Sequence, residues 1–339
     1  MQSVKLFQWP FKSKDALFHV IFYATAFKDI KVFYNQIHFF SKSLSKYFPF
    51  NTLSYIKFLS IHTVFDPVNN STNLNTTNIP NIGLTLNQPT ERIEINANSL
   101  SSKLESIKIN NISSEHNLIQ VLKRNSLYSN RCLLVVLLPP QGDGGYENEF
   151  QKTSDDDFYF VATTCDGHWE QVIIRAMCKL MGLGDEYENT GQEYEKPERY
   201  IGKLFNHFHP NLLYSDTPNS SIPAADTKWG HLSNKIGFDF PIRRAPSHPG
   251  QADLSIPTHN FLPNNIELWE GGGGYRTHIY RSAHDCLMRR QIGNKNLPVR
   301  EAVVPLCPVC AAYVQQQILA WGQENRVRSL EFRGFIQQL

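Results

Sequence analysis

Cys307-Pro308-Val309-Cys310 is a Cys-x-x-Cys pair at the head of a helix expected over Ala311 to Trp321. Main-chain N–H groups and the helix dipole lower the pKa of a thiol at such a position, which suits Cys307 to redox chemistry. Together with Cys286, and with His284 as a fourth donor, the same thiols can hold a structural zinc. They can also remain reduced, or close one disulfide. A single Cys-x-x-Cys outside a βαβ context is a weak redox signal, so all three readings stay open.

Other residues with chemical potential give less. His168 and Glu170 are two apart, which is not the i,i+4 spacing of a ligand pair on one helix face, and a helix-entry role is expected for them. His207, His209, His231, His248 and His259 lie in a stretch without regular pattern, and nothing in their spacing joins them to Asp185 as a metal site. Gly142, Gly144 and Gly145 precede no Lys-Ser/Thr and no helix, so a solvent-exposed turn is expected there. No Gly-x-Ser-x-Gly elbow, Walker or Rossmann fingerprint occurs.

The element that must position any site is the stretch Asp166 to Glu188, DGHWEQVIIRAMCKLMGLGDEYE. Ile173, Ala176, Met177 and Leu180 form one apolar row at helical spacing, and Ile174, Cys178 and Met181 form a second. Gln171, Arg175 and Lys179 make a narrow polar stripe. Gly182 and Gly184 stop the helix, and Asp185-Glu186-Tyr187 leads away from it.

The ending GLGDEYE resembles the exit of the active-site helix in the IgA-peptidase-like zinc metallopeptidases, whose helix carries His-Glu-x-x-His. Counted back from that exit, the motif positions fall on Ile174, Arg175, Ala176, Met177 and Cys178, so both histidines and the glutamate are replaced. Further segments resemble the family in the same order. They are a strand, a helix ending at Pro49-Phe50 and a second strand; an apolar strand, a Gly-rich loop and an edge strand before the helix; Pro210-Asn211; and Lys228-Trp229. Glu270 to Tyr275, Tyr280-Arg281, Cys286 with Met288, and the closing Cys-Pro-x-Cys complete the set. The family's Gly-Asp-Gly-Tyr turn has no counterpart at Tyr23 to Ala26. Met288 matches the methionine that underlies the metal in related zincins, beside its plain reading as a core residue.

The resemblance implies a peptidase scaffold without its catalytic residues. Chemistry agrees: a catalytic zinc takes about three protein ligands and an open water position. Isoleucine cannot ligate, Cys178 is one soft donor, and Arg175 cannot serve as a general base because it stays protonated. At about 4 Å and an effective dielectric of about 20, two unit charges repel by roughly 4 kcal/mol, and a dication doubles that.

The 339 residues can build a sizeable core, and the apolar content of 41% is that of a globular protein. A net charge of +2 gives no reason to invoke nucleic acid or a membrane surface. The run from Leu17 to Phe27 is too short to span a bilayer, no secretory signal is read at MQSVKLFQWPFKSKD, and a cytoplasmic location is expected. Six cysteines in so long a chain are too few for a disulfide scaffold.

In chain order, Leu17 to Tyr23 reads as a strand, Lys28 to Phe48 as an amphipathic helix, and Tyr55 to Asp66 as a second strand. Asn69 to Asn81 reads as a flexible Asn/Thr-rich loop, and Asn70, Asn75 and Asn111 open sequons of the kind that arise by chance. Arg131 to Leu138 has the continuous apolar run of a central parallel strand. Phe158 to Thr164 feeds the central helix, and an irregular region follows Tyr187 through Pro263.

The expected fold is α/β: a zincin-like, mainly parallel sheet with helices, an irregular lower region and a C-terminal helix. An N-terminal extension (1–14), one domain (15–322) and a tail (323–339) are expected. The expected function is a non-catalytic metallopeptidase homologue that binds a polypeptide or protein partner in a cleft lined by Asp185, Tyr275 and Arg281, with Arg175 and Cys178 at its floor. The alternatives are a zinc metalloendopeptidase with displaced ligands and a purely structural interaction domain. No cofactor is expected, apart from the zinc that Cys286, Cys307 and Cys310 can hold.

Overall fold

The computed structural model describes residues 5–9, 18–24, 27–50, 59–65, 131–140, 151–152, 159–187, 209–215, 220–233, 237–243, 266–289 and 304–336. The expected loop over 69–81, the three sequons, the turn at Gly142 to Gly145, and His207, His248 and His259 lie outside the described residues. The chain divides into two compact units. They are Met1–Lys42 with Lys57–Ala176, and Ser43–Ile56 with Met177–Leu339.

In the first unit, β4 (Cys132–Leu138, CLLVVLL) is buried at every position. A strand covered on both faces belongs inside a parallel sheet. Its sheet runs β1 (Lys5–Trp9), β3 (Leu59–Phe65), β2 (Phe18–Ala24), β4, β6 (Tyr159–Thr164), β5 (Gln151–Lys152). The middle strands β3, β2, β4 and β6 are parallel, and among the described residues β1 and β5 stand antiparallel at the two edges. Part of the expected N-terminal extension therefore pairs into this sheet as β1.

Helix α1 (Ile30–Leu44) starts where Asp29 accepts the Lys31 N–H at 2.8 Å, a side-chain N-cap. It buries Phe33, Ile37, Phe40 and Leu44 along one stripe at helical spacing. Phe40 meets Phe22 of β2 edge-on at 5.1 Å, and Phe33 lies 6.1 Å from Phe65 of β3. Each such pair adds about 0.5–1.5 kcal/mol to the burial term, and together they fix the helix against the sheet.

β6 feeds through 165–168 into α2 (Trp169–Leu180). Trp169 opens the helix against Phe39 and Phe40, each at 6.1 Å. The polar stripe does not face water, since Gln171 and Arg175 are buried and Lys179 is half-buried. The helix ends in a Schellman arrangement: Leu183 N–H donates to Cys178 O at 3.1 Å and Gly182 N–H to Lys179 O at 2.8 Å. Gly182 takes a φ of 102° there, which a side chain resists.

The second unit holds a smaller sheet in the order β7 (Leu212–Tyr214), β11 (Tyr275–Arg281), β10 (Leu268–Gly272), β9 (Asp239–Arg243), β8 (Ser221–Pro223). All its pairs are antiparallel except β9 with β10. The region expected to be irregular thus supplies β7, β8 and β9. Two of these strands have only three residues, and prolines stand in β8 and β9, so no period-2 pattern marks them. Helix α3 opens at Pro308 and runs to Ile336, past the expected tail boundary at 323. The architecture is mixed α/β with a mainly parallel first sheet, and no helix among the described residues is long and apolar enough to cross a membrane.

Candidate metal centre

Beyond Gly182 the chain enters a clamp within the second unit. A Cβ on Gly184 would lie 2.7 Å from Leu212 Cδ1 and 2.8 Å from the His209 ring, so only glycine fits. The Asn211 side chain holds Gly184 from both sides, accepting its N–H and donating to its carbonyl, each at 2.8 Å. Next, Asp185 O accepts the Gly273 N–H at 2.7 Å, Glu186 N–H donates to Met288 O at 2.9 Å, and Tyr187 O accepts the Gly274 N–H at 3.0 Å. Gly271, Gly273 and Gly274 have φ of 102°, 61° and 86°, the conformations the β10–β11 turn needs to reach this segment. The two glycine-rich stretches conspicuous in the sequence, GLGDEYE and EGGGGY, are hydrogen-bonded to each other.

The clamp presents Glu186 to three thiols. Donor atoms of Glu186, Cys286, Cys307 and Cys310 all lie within 4.8 Å of one another, and all four residues are buried. This group is able to hold a metal ion. Cys310 Sγ donates to Glu186 Oε1 at 3.1 Å, which also accepts from Asn211 Nδ2 at 3.1 Å. The main-chain N–H groups of Cys307 and Met288 point at Cys286 Sγ at 3.2 and 3.4 Å, and Cys310 N–H points at Cys307 Sγ at 3.4 Å. Ser282 Oγ lies 3.5 Å from Cys307 Sγ.

Burial pushes the Glu186 carboxyl up to about 8; negative charge on Cys307 adds to this, and hydrogen bonds from Cys310 and Asn211 and the Arg281 charge oppose it. Burial also raises Cys286 and Cys310 well above the usual thiol range. At Cys307 burial is outweighed by hydrogen bonds from Cys286, Cys310 and Ser282 and from the Cys310 N–H, which hold it well below that range.

The fourth donor is a correction to the sequence reading. His284 is not in the group; its ring packs edge-on against Trp269 at 4.5 Å, and its carbonyl accepts from Arg289. Glu186 takes the place. The signal was present, since Glu186 belongs to the helix exit already singled out, but nothing local connects it to cysteines at 286–310. The redox reading is weakened by burial: Cys307 and Cys310 both show 0% exposure, without the access a reactive thiol requires.

The helix positions that a catalytic zinc would use do not fit one. Ile174, Arg175 and Cys178 are all buried, isoleucine has no donor atom, Arg175 is a cation, and burial pushes the Cys178 thiol up. Of the expected cleft residues, Asp185 meets the Gly273–Gly274 turn through its main chain, and its carboxylate pairs with Lys179 at 2.8 Å. Tyr275 follows that turn and packs with Leu212 and Ile279. Arg281 is fully buried; its guanidinium donates to the carbonyls of Glu270, Gly271 and Ala283 at 2.9, 2.6 and 3.1 Å and so braces the hairpin from within. His168 lies at the entry of α2, 3.5 Å from Glu170, as its spacing suggests.

Compared with known proteins, the chain matches no family model and no curated protein.

Proposed function

We infer that this chain is a peptidase-like protein without hydrolytic chemistry, which binds an extended polypeptide through the edge of its first sheet. The observation that carries this is the strand order. Among the described residues a short antiparallel strand, β5, ends the sheet beside β6, and β6 feeds directly into α2. The zincin-like family that the sequence resembles likewise has an edge strand ahead of its active-site helix; the sequence suggests 158–164 for it, whereas here β5 lies outside that strand. The outer side of an edge strand offers main-chain N–H and C=O groups, and an extended peptide can add to them as a further strand. Supporting the loss of hydrolysis, α2 carries a buried isoleucine, arginine and cysteine where a zinc peptidase needs two histidines and a glutamate. In this reading zinc has no catalytic part.

The test incubates the full chain with a mixture of proteome-derived peptides and follows both retention and cleavage by mass spectrometry. Retained, uncut peptides are expected. Along a strand successive N–H groups alternate in direction, so one of Gln151→Pro and Lys152→Pro removes an outward donor and lowers retention. Chelator-sensitive cleavage would establish a peptidase with displaced ligands, and no retention by any peptide would leave the purely structural reading.

A further inference from the structure

We propose that Glu186, Cys286, Cys307 and Cys310 form a closed structural zinc site, with Glu186 as the fourth ligand. The donor set and its enclosure come first. Three sulfurs and one carboxylate oxygen within 4.8 Å of one another make the four-coordinate, thiolate-rich set that zinc prefers over hard cations. Even at that upper bound, a regular tetrahedron puts its centre about 2.9 Å from each donor, against about 2.3 Å for a Zn–S bond, so sub-ångström side-chain shifts close it. All four residues show 0% exposure, leaving no open position for water and therefore no catalytic role for the ion.

The surroundings supply two independent observations. Glu186 Oε2 is buried without a hydrogen-bond partner in the structure, beside the thiols. A cation at the centre satisfies the carboxylate that the protein alone leaves incomplete. The sulfurs also receive N–H groups at three places: Cys307 N and Met288 N on Cys286, and Cys310 N on Cys307. Such donors stabilise metal-bound thiolates and orient them. Three thiolates and a carboxylate around a dication leave a net charge near −2. Arg281, fully buried and electrostatically coupled to Glu186, offsets part of it.

The site joins three segments distant in sequence: the exit of α2, the turn after β11, and the head of α3. The metal therefore acts as a cross-link inside the second unit. Binding balances as the loss of protons from thiols and carboxyl to solvent with the ion retained, and no electron is transferred.

The experiment begins with full-length protein purified without added metal or chelator. Elemental analysis is expected to find about one zinc per chain, and cobalt exchanged into the site should show the charge-transfer absorption of thiolate ligands. Glu186→Gln, close in shape, should weaken zinc binding at least tenfold, roughly, in a chelator competition. Cys310→Ser should do the same if it folds; the cobalt spectrum of the unaltered chain does not depend on any variant folding. A chain that is metal-free as purified and gives no thiolate absorption with added cobalt, or whose mass shows a disulfide among the three cysteines, overturns the site. Undiminished affinity in Glu186→Gln overturns Glu186 as ligand.

Discussion

Asn211 offers a sharp test of how the second unit is held together. Its side chain is fully buried and makes three hydrogen bonds: from Gly184 N–H, to Gly184 O, and to Glu186 Oε1. Asn211→Leu keeps roughly the same volume and deletes all three. The partners cannot turn to water, because Gly184 and Glu186 are themselves buried. An orphaned buried polar group costs about 1–3 kcal/mol; Glu186 Oε1 keeps the Cys310 thiol, so the two orphans on Gly184 predict a loss of roughly 2–6 kcal/mol, a large part of an ordinary domain's stability. The assay is urea unfolding of both proteins in EDTA, followed by far-UV circular dichroism and compared at the midpoint. Chelation matters because a metal bound at Glu186 would add its own stabilisation. A loss below about 1 kcal/mol would refute the reasoning, since it would mean that the clamp is wet or that the partners re-pair at no cost.

Further outcomes follow from other elements. His62 in β3 is buried, lies 3.1 Å from His19 of β2, and burial holds its pKa down to about 4 from 6.5, with the His19 charge adding to this. The unfolded chain therefore binds more protons between those values, and stability falls as pH drops through the window by up to about 3 kcal/mol; His62→Phe should flatten that part of a stability-against-pH curve. Gly230→Ala places a methyl 1.8 Å from the Ala224 carbonyl oxygen, so the two 3-10 turns at 224–226 and 230–232 must part. A loss of about 3 kcal/mol or more, read as a lowered Tm or insoluble protein, is expected. Asp29→Ala removes the cap of α1 and should lower stability by about 1 kcal/mol in chemical denaturation.

Much of the first sheet was legible because its signals are local. The apolar run of β4, the helical spacing of Phe33, Ile37 and Phe40, and the strand feeding α2 all declare themselves within a few residues. Gly182 was equally readable as a stop, since only a left-handed residue completes that helix end. The second sheet was not, because a three-residue strand such as β7 has no period to detect, and its identity comes only from pairing with β11 some sixty residues on.

The same division runs through the site. By itself the sequence determined which donors exist: Cys286, the Cys307–Cys310 pair, and the absence of histidine at Ile174 and Cys178. It also marked the glycines that allow close backbone approach. Only the tertiary structure decided that Glu186, and not His284, completes the group, and that Arg281 braces the hairpin from inside. The reason is physical. Donor types are properties of single residues, whereas their convergence depends on hydrogen bonds between the 184–187 segment, the glycine turn and Met288, which lie about a hundred residues apart in the chain.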